Sequence, residues 1–226
     1  MAEQATTLSE SVFNELRQDI LDCVFKPGDK LLMSNLKERY EGGTSPIREA
    51  LCKLTATGYV VSEPQRGFTV APVSVEDLND MYQTRIKIDT MTLGLAIEAG
   101  DEHWEAEILS AFHCMRRQAP SFSDNAKEDV ATWHKRKMHF YTALMSACPL
   151  KNLLCVQRLL LDRSERYRYL CFYSSADSQS FKDAIDSIER IVDVTIGRKK
   201  DEAMRLLGEH IEHAVTIMTS KLSASQ

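Results

Sequence analysis

Thr44, Ser45 and Arg48 open a stretch whose apolar residues, Ile47, Ala50, Leu51 and Leu54, recur at helical spacing. Short polar side chains and an arginine in the first turn of a helix are groups that read base edges in a DNA major groove. Arginine there offers a fork of donors matched to guanine O6 and N7, worth ~1–3 kcal/mol of discrimination. Arg66 and Gly67 lie between two strand-like runs, at a hairpin tip that can carry a cation to a phosphate or the minor groove. Ser34 opens a shorter helical stretch, where a hydroxyl or a backbone amide can hold a phosphate. The plainer alternatives are an intrahelical ion pair of Arg48 with Glu49, and a solvated loop charge for Arg66.

Elsewhere reactive side chains are scattered. Cys23, Cys52, Cys114, Cys148, Cys155 and Cys171 include no C-x-x-C pair, so free thiols are expected rather than disulfides or a thiolate zinc site. His134 and His139 are five apart, and His210 and His213 three apart. Residues three apart can share a helix face, but this is a weak pairing, and ordinary hydrogen bonding is the plainer role for all six histidines. No G-x-S-x-G, H-E-x-x-H, P-loop or G-x-G-x-x-G string occurs, and no enzyme is expected.

The elements that would position these residues can be read in order. Leu8, Val12, Leu16, Ile20 and Cys23 form one amphipathic stripe over 8–24, with Ser9 or Ser11 as its cap. Lys26-Pro27-Gly28-Asp29 stops it, and 30–33 is a short extended piece. A second helix covers 34–40 with Ser34 as N-cap. Glu41-Gly42-Gly43 breaks it, and Thr44 or Ser45 caps the third, with Pro46 in its first turn. Gly58 ends that helix, and 59–62 and 68–71 read as strands. Three short helices and a hairpin make a winged helix-turn-helix. After Pro72 no strand is evident, and six helices are predicted at 74–98, 102–118, 124–146, 150–172, 178–198 and 200–223, with sequential neighbours packed antiparallel. The fold class expected is mostly α: a winged helix-turn-helix domain over 1–72 and an antiparallel helical bundle over 73–226.

The chain has 226 residues, enough for two small domains, with 43% hydrophobic and 27% charged residues. No apolar run approaches the ~18–20 residues of a membrane span, and residues 1–7 lack the features of a secretory signal, so a cytoplasmic protein is expected. The net charge of −5 argues against a protein that coats nucleic acid indiscriminately. Residues 1–72 carry eight Lys/Arg against ten Asp/Glu, but within them the span 26–66 is basic, with seven against five.

The strings Lys26-Pro-Gly-Asp-Lys-Leu, Gly43-Thr-Ser-Pro-Ile-Arg-Glu-Ala-Leu, Gly58-Tyr-Val-Val and Arg66-Gly-Phe-Thr-Val, in order across 9–72, resemble the GntR family of bacterial regulators. The helical half resembles the FCD type of the FadR branch. The resemblance implies a homodimer on double-stranded operator DNA, repression more often than activation, and a small-molecule effector in the bundle. It assigns DNA contacts to Ser34, Thr44, Ser45, Arg48, Arg66 and Gly67. Many relatives carry arginine at the position of Thr44, which implies a different operator or weaker binding. Trp104-Glu105-Ala106-Glu107 and Ala147-Cys148 are similar to segments of carbon-starvation regulators in that branch, which implies a short carboxylate as effector.

FCD bundles often hold a metal on one aspartate and three histidines, beginning with a D-x-x-F-H string. Aligned on Trp133, Phe140, Leu144 and Cys148, those positions carry Lys137, Tyr141, Glu189 and His210 here. A lysine where a carboxylate ligand should stand places positive charge beside the cation. No metal or other cofactor is therefore expected. Lys137 and Arg85, which matches a family arginine facing the cavity, would meet the effector's carboxylate, with Tyr141, Glu189 and His210 completing the site. The alternative for Lys137 and Glu189 is a structural ion pair. Arg163, Arg166 and Arg168 read mostly as a solvated helix face. Two rivals are a ligand-blind DNA-binding protein with a purely structural dimerisation bundle, and an RNA-binding winged helix.

Overall fold

The computed structural model describes residues 7–117, 126–172 and 178–224. Residues 1–6, 118–125, 173–177, 225 and 226, which the expected domains included, lie outside the described residues. The element order is α1 (Leu8–Leu21), α2 (Met33–Arg39), α3 (Thr44–Ala56), β1 (Val60–Glu63), β2 (Gly67–Val70), α4 (Val75–Ala99), α5 (Glu102–Arg117), α6 (Ala126–Met145), α7 (Lys151–Phe172), α8 (Ser178–Ile196) and α9 (Lys200–Ala224). The fold is mostly α with a two-stranded wing, as the apolar periodicities predict. Two compact units are present. One joins Met1–Ser74 with Asp162–Leu170, and the other joins Val75–Leu161 with Cys171–Gln226. No described helix is long and apolar enough to cross a membrane.

The first unit is built on an apolar centre. Val12 and Leu16 of α1, Leu36 of α2, and Ile47, Leu51 and Leu54 of α3 are all but fully buried, each burial stabilising by ~1.5–3 kcal/mol. The three helix caps each lie one to four residues before the expected ones. Thr7, not Ser9 or Ser11, caps α1: its extended backbone lets Oγ1 accept from the Glu10 amide at 3.3 Å. Ser9 is buried instead, and its Oγ donates to Glu49 at 3.0 Å, tying α1 to α3. Leu32, not Ser34, stands at the N-cap of α2, and Gly43, not Thr44 or Ser45, at that of α3. Neither cap supplies a side-chain hydrogen bond.

Gly58 ends α3 with φ +79°, a left-handed backbone that favours glycine, and a Cβ there would also displace the Arg163 side chain, whose Nε would lie 2.8 Å away. Both strands shift by one residue toward the hairpin tip from the expected runs, β1 later and β2 earlier, pairing Val60 with Val70 and Glu63 with Gly67. Residues 28–31 border them: the Leu31 amide donates to the Phe68 carbonyl at 2.9 Å, and the Val70 amide to Asp29 at 2.9 Å.

Residues Asp162–Leu170 belong to this unit through polar contacts. Arg17 pairs with Asp162. The Tyr59 hydroxyl donates to the Asp162 carbonyl at 2.9 Å, and burial pushes that phenol far above its ordinary range, so it stays protonated. Arg166 and Arg168 are buried rather than solvated. Arg166 donates to the Ala71 carbonyl at 3.2 Å, and Arg168 pairs with Glu165. Arg163 is half-buried. The expected solvated arginine face is therefore corrected: α7 turns these residues inward.

The second unit is the helical bundle. Its most extensive helix contact joins α4 to α9; α5 packs on α6 and α8 on α9. Sequential neighbours pack as expected in those last two pairs, whereas α4 takes a distant partner. At one end Arg198 closes the bundle: it donates to the Ile97 carbonyl at 2.7 Å, pairs with Glu105, and lies 5.3 Å from the Trp104 ring centre.

Candidate DNA interface and effector site

The buried stripe of α3 fixes which of its residues face outward. Ile47, Ala50, Leu51 and Leu54 point into the core, leaving Thr44, Ser45 and Arg48 exposed. The first amides of α3 have no side-chain cap, so they remain available as donors at the positive end of the helix. Arg48 makes no ion pair among the described residues. Its neighbour Glu49 is engaged by Lys53 at 2.9 Å and by Ser9, hydrogen bonds that hold the Glu49 carboxyl below its usual range. The intrahelical pair of Arg48 with Glu49 is thus not formed.

The wing tip is shaped by two left-handed residues, Gln65 at φ 64° and Gly67 at φ +85°. Between them Arg66 is 78% exposed and reaches Glu63 at 3.2 Å, a surface pair that a phosphate can replace at little cost. Ser34 is exposed in the first turn of α2, its hydroxyl donating to Asn35 at 3.1 Å. All six expected DNA-contacting residues therefore lie at the surface of one compact unit.

A clamp not anticipated from the sequence fixes α2 against α1. Asp19 accepts from Arg39 at 2.6 and 2.8 Å and from the Tyr40 hydroxyl. Burial alone would raise the Asp19 carboxyl, but the bonds from Arg39 and Tyr40 outweigh it and hold it below its ordinary value. Arg39 and Asp19 are twenty residues apart, with no periodic signal to join them.

In the bundle, Arg85 and Asp89 form a buried ion pair at 2.9 Å, 3% and 0% exposed. Gln157 donates to the other Asp89 oxygen at 3.1 Å. The Arg85 guanidinium lies 5.5 Å from the Tyr82 ring and 5.7 Å from Tyr141; Lys137 Nζ lies 5.0 Å from Trp133 and 5.9 Å from Tyr141. Tyr141 is buried within cation–π distance of both cations. Arg85, Lys137 and Tyr141 are thus brought together. His210 is buried beside Ser187, Nδ1 to Oγ 3.0 Å.

Glu189 is not brought to this cluster. It pairs with Arg116 at 2.5 Å at the surface, so the Lys137–Glu189 pair is not formed. The buried stripe of α8 runs through Ile185, Ile188 and Val192, and Glu189 is one residue off it, about 100° round the helix. Asp89 and Gln157 were missed. The i, i+4 spacing of Arg85 and Asp89 was the available signal for the first; Gln157 left none. His139 and His213 are exposed while His134 and His210 are buried, so the weak pairing signal of His210 with His213 does not correspond to a shared buried face. The metal site of related bundles does not fit these residues: a buried ammonium, a phenol, a surface carboxylate and one imidazole are not its donor set.

Comparison with known proteins gives the same architecture. Residues 8–70 match bacterial regulatory proteins of the gntR family, and residues 80–213, more than half of the chain, match the FCD domain. The transcriptional repressor GlaR of Escherichia coli (strain K12) is 28% identical over 221 residues, spanning 97% of this chain and 100% of that protein. The regulator BphR of Paraburkholderia xenovorans (strain LB400) is 29% identical over 212 residues, 94% of this chain and 85% of that protein. Among solved structures, E. coli McbR/YncC superposes with a TM-score of 0.77 at 21% identity, covering 96% of this chain and 99% of that one. The family and these relatives are regulators, not enzymes. The chain belongs to the GntR family and is a DNA-binding transcription regulator with an FCD helical domain.

Proposed function

We propose that the chain is a homodimeric repressor that reads a pseudo-palindromic operator through α3 and is released by a small carboxylate bound among Arg85, Lys137 and Tyr141. Residues 1–72 are the DNA-binding domain and 73–226 the sensing and dimerisation domain. The observation that carries this is the exposed first turn of α3, with Arg48 extended from a helix whose own carboxylate is occupied elsewhere. One such helix contacts half a site, so two copies related by a two-fold axis suit a palindrome. Ser34 and Arg66 contact phosphates, Thr44, Ser45 and Arg48 the bases, and Gly67 lets the wing backbone approach. The repressor name of the relative GlaR favours repression.

In the bundle, the Arg85 guanidinium and the Lys137 ammonium lie 5.7 and 5.9 Å from the same Tyr141 ring centre, close enough for one carboxylate to meet both. An entering carboxylate gains charge-assisted hydrogen bonds in a site screened from water. Anisotropy titration of a duplex selected by the wild-type chain from a random pool tests the DNA assignment. Arg48→Ala should weaken binding by roughly ten- to a hundredfold, the worth of one bidentate base contact, with the melting temperature unchanged. Equal binding by the two proteins would remove α3 from the interface.

A further inference from the structure

The segment Asp162–Leu170 carries unusual charge for its burial. Glu165, Arg166 and Arg168 are each less than a tenth exposed. Beside an apolar seat where Leu170 meets Ile20 and Val70, it makes directional polar contacts to the rest of its unit: Arg17 and Tyr59 on Asp162, Arg166 on the Ala71 carbonyl, and the Tyr167 hydroxyl on the Ser74 carbonyl at 3.4 Å. The buried charge pairs add little net adhesion of their own, because desolvation offsets the pairing. Such contacts are directional, so they are made in one geometry and lost when the helix turns or slides.

The same helix begins in the other unit. Gln157, 1% exposed, donates to Asp89, which holds Arg85 with its second oxygen. Helix α7 is unbroken from Lys151 to Phe172. Gln157 and Asp162 are therefore joined by about 7.5 Å of continuous helix.

We propose that α7 relays occupancy of the Arg85–Lys137 cluster to the DNA-binding unit through Gln157 and Asp162. This rests on reading that cluster as the effector site and α3 as the DNA-reading helix. An anion on Arg85 competes with Asp89 for the guanidinium. Asp89 then moves, Gln157 follows it, and α7 turns or slides. At Asp162 the change is felt by Arg17 and Tyr59. Arg17 belongs to α1, which packs on α3; Arg166 and Tyr167 pass the same motion to Ala71 and Ser74, which lead out of the wing.

The test uses the full chain carrying Gln157→Leu, Asp162→Asn, or both. Hydrogen exchange is followed at the amides of α1 and residues 71–74, and the dissociation constant is measured for a duplex selected by the wild-type chain. Gln157→Leu should accelerate exchange there and shift the dissociation constant by about fivefold or more, the lower end of ordinary allosteric coupling. With Asp162→Asn already present, the same substitution should shift it by less than about twofold. Gln157→Glu, which keeps the side-chain length and sets a carboxylate against Asp89, should reproduce the exchange response. Unchanged exchange in both Gln157 variants, or independent effects of Gln157→Leu and Asp162→Asn on DNA binding, overturns the relay. Wild-type-like binding by Arg48→Ala overturns the DNA-reading assignment instead, and hydrogen exchange alone then decides the relay.

Discussion

Among the described residues Arg48 makes no ion pair, because Lys53 and Ser9 already occupy Glu49, and Ser9 is available for that role only because Thr7 caps α1. A two-residue shift in a helix cap, from Ser9 to Thr7, thus keeps Glu49 engaged away from Arg48. The first-turn residues of α3 were legible because exposure follows directly from apolar spacing. The Asp19 clamp was not, since it joins residues twenty apart by side-chain geometry alone. Replacing Asp19 by Asn should cost roughly 1–3 kcal/mol at pH 7, the worth of hydrogen bonds to a charged group. The sign with pH follows from the lowered carboxyl: its stabilisation is fully present above the ordinary 3.8 and is lost as pH falls through the native value. Denaturant melts of wild type and Asp19→Asn should therefore converge in strongly acidic solution. A gap that stays constant with pH would mean the clamp works by packing, not charge.

Among the elements, periodicity located all eleven to within a few residues. Its failures have one physical root: a hydrophobic stripe says which residues are apolar, not which polar ones are buried with them. In Asp162-Arg-Ser-Glu-Arg-Tyr-Arg-Tyr, alternating charges look solvated, yet Arg166 and Arg168 are buried because Ala71 and Glu165 receive them. In α8 the register of Ile185, Ile188 and Val192 turns Glu189 outward, a distinction of one residue that an alignment by resemblance could not resolve. Helix α2 depends on a single anchor, since Leu36 alone of its seven residues is buried. Leu36→Ala should destabilise the protein by ~2–5 kcal/mol, read as a lowered denaturation midpoint. A loss well under 1 kcal/mol would show that the Asp19 clamp, not Leu36, seats α2.

For the molecule as a whole, the proposed DNA reading and the proposed effector sensing fall in different compact units, and α7 contributes residues to both. The resemblance carried the sensing cluster only in part: it brought Arg85, Lys137 and Tyr141 to one place but not Asp89 or Gln157, the groups that hold Arg85 in the present structure. With succinate as probe, wild type should melt at higher temperature in proportion to the logarithm of ligand concentration above its dissociation constant. Lys137→Ala should abolish most of that rise while leaving DNA binding intact. A rise of equal size in the variant would place the anion elsewhere, and no rise with succinate or longer and shorter carboxylates would favour a ligand-blind bundle.

The most direct test of DNA reading by α3 is a selection from random duplexes, run in parallel with wild type and Arg48→Ala. Wild type should enrich an inverted repeat with half-site centres about 10 base pairs apart or a multiple of that, including a guanine in each half. Arg48→Ala should lose the preference at that guanine alone. Recovery of the same guanine-containing site by both proteins would contradict the account.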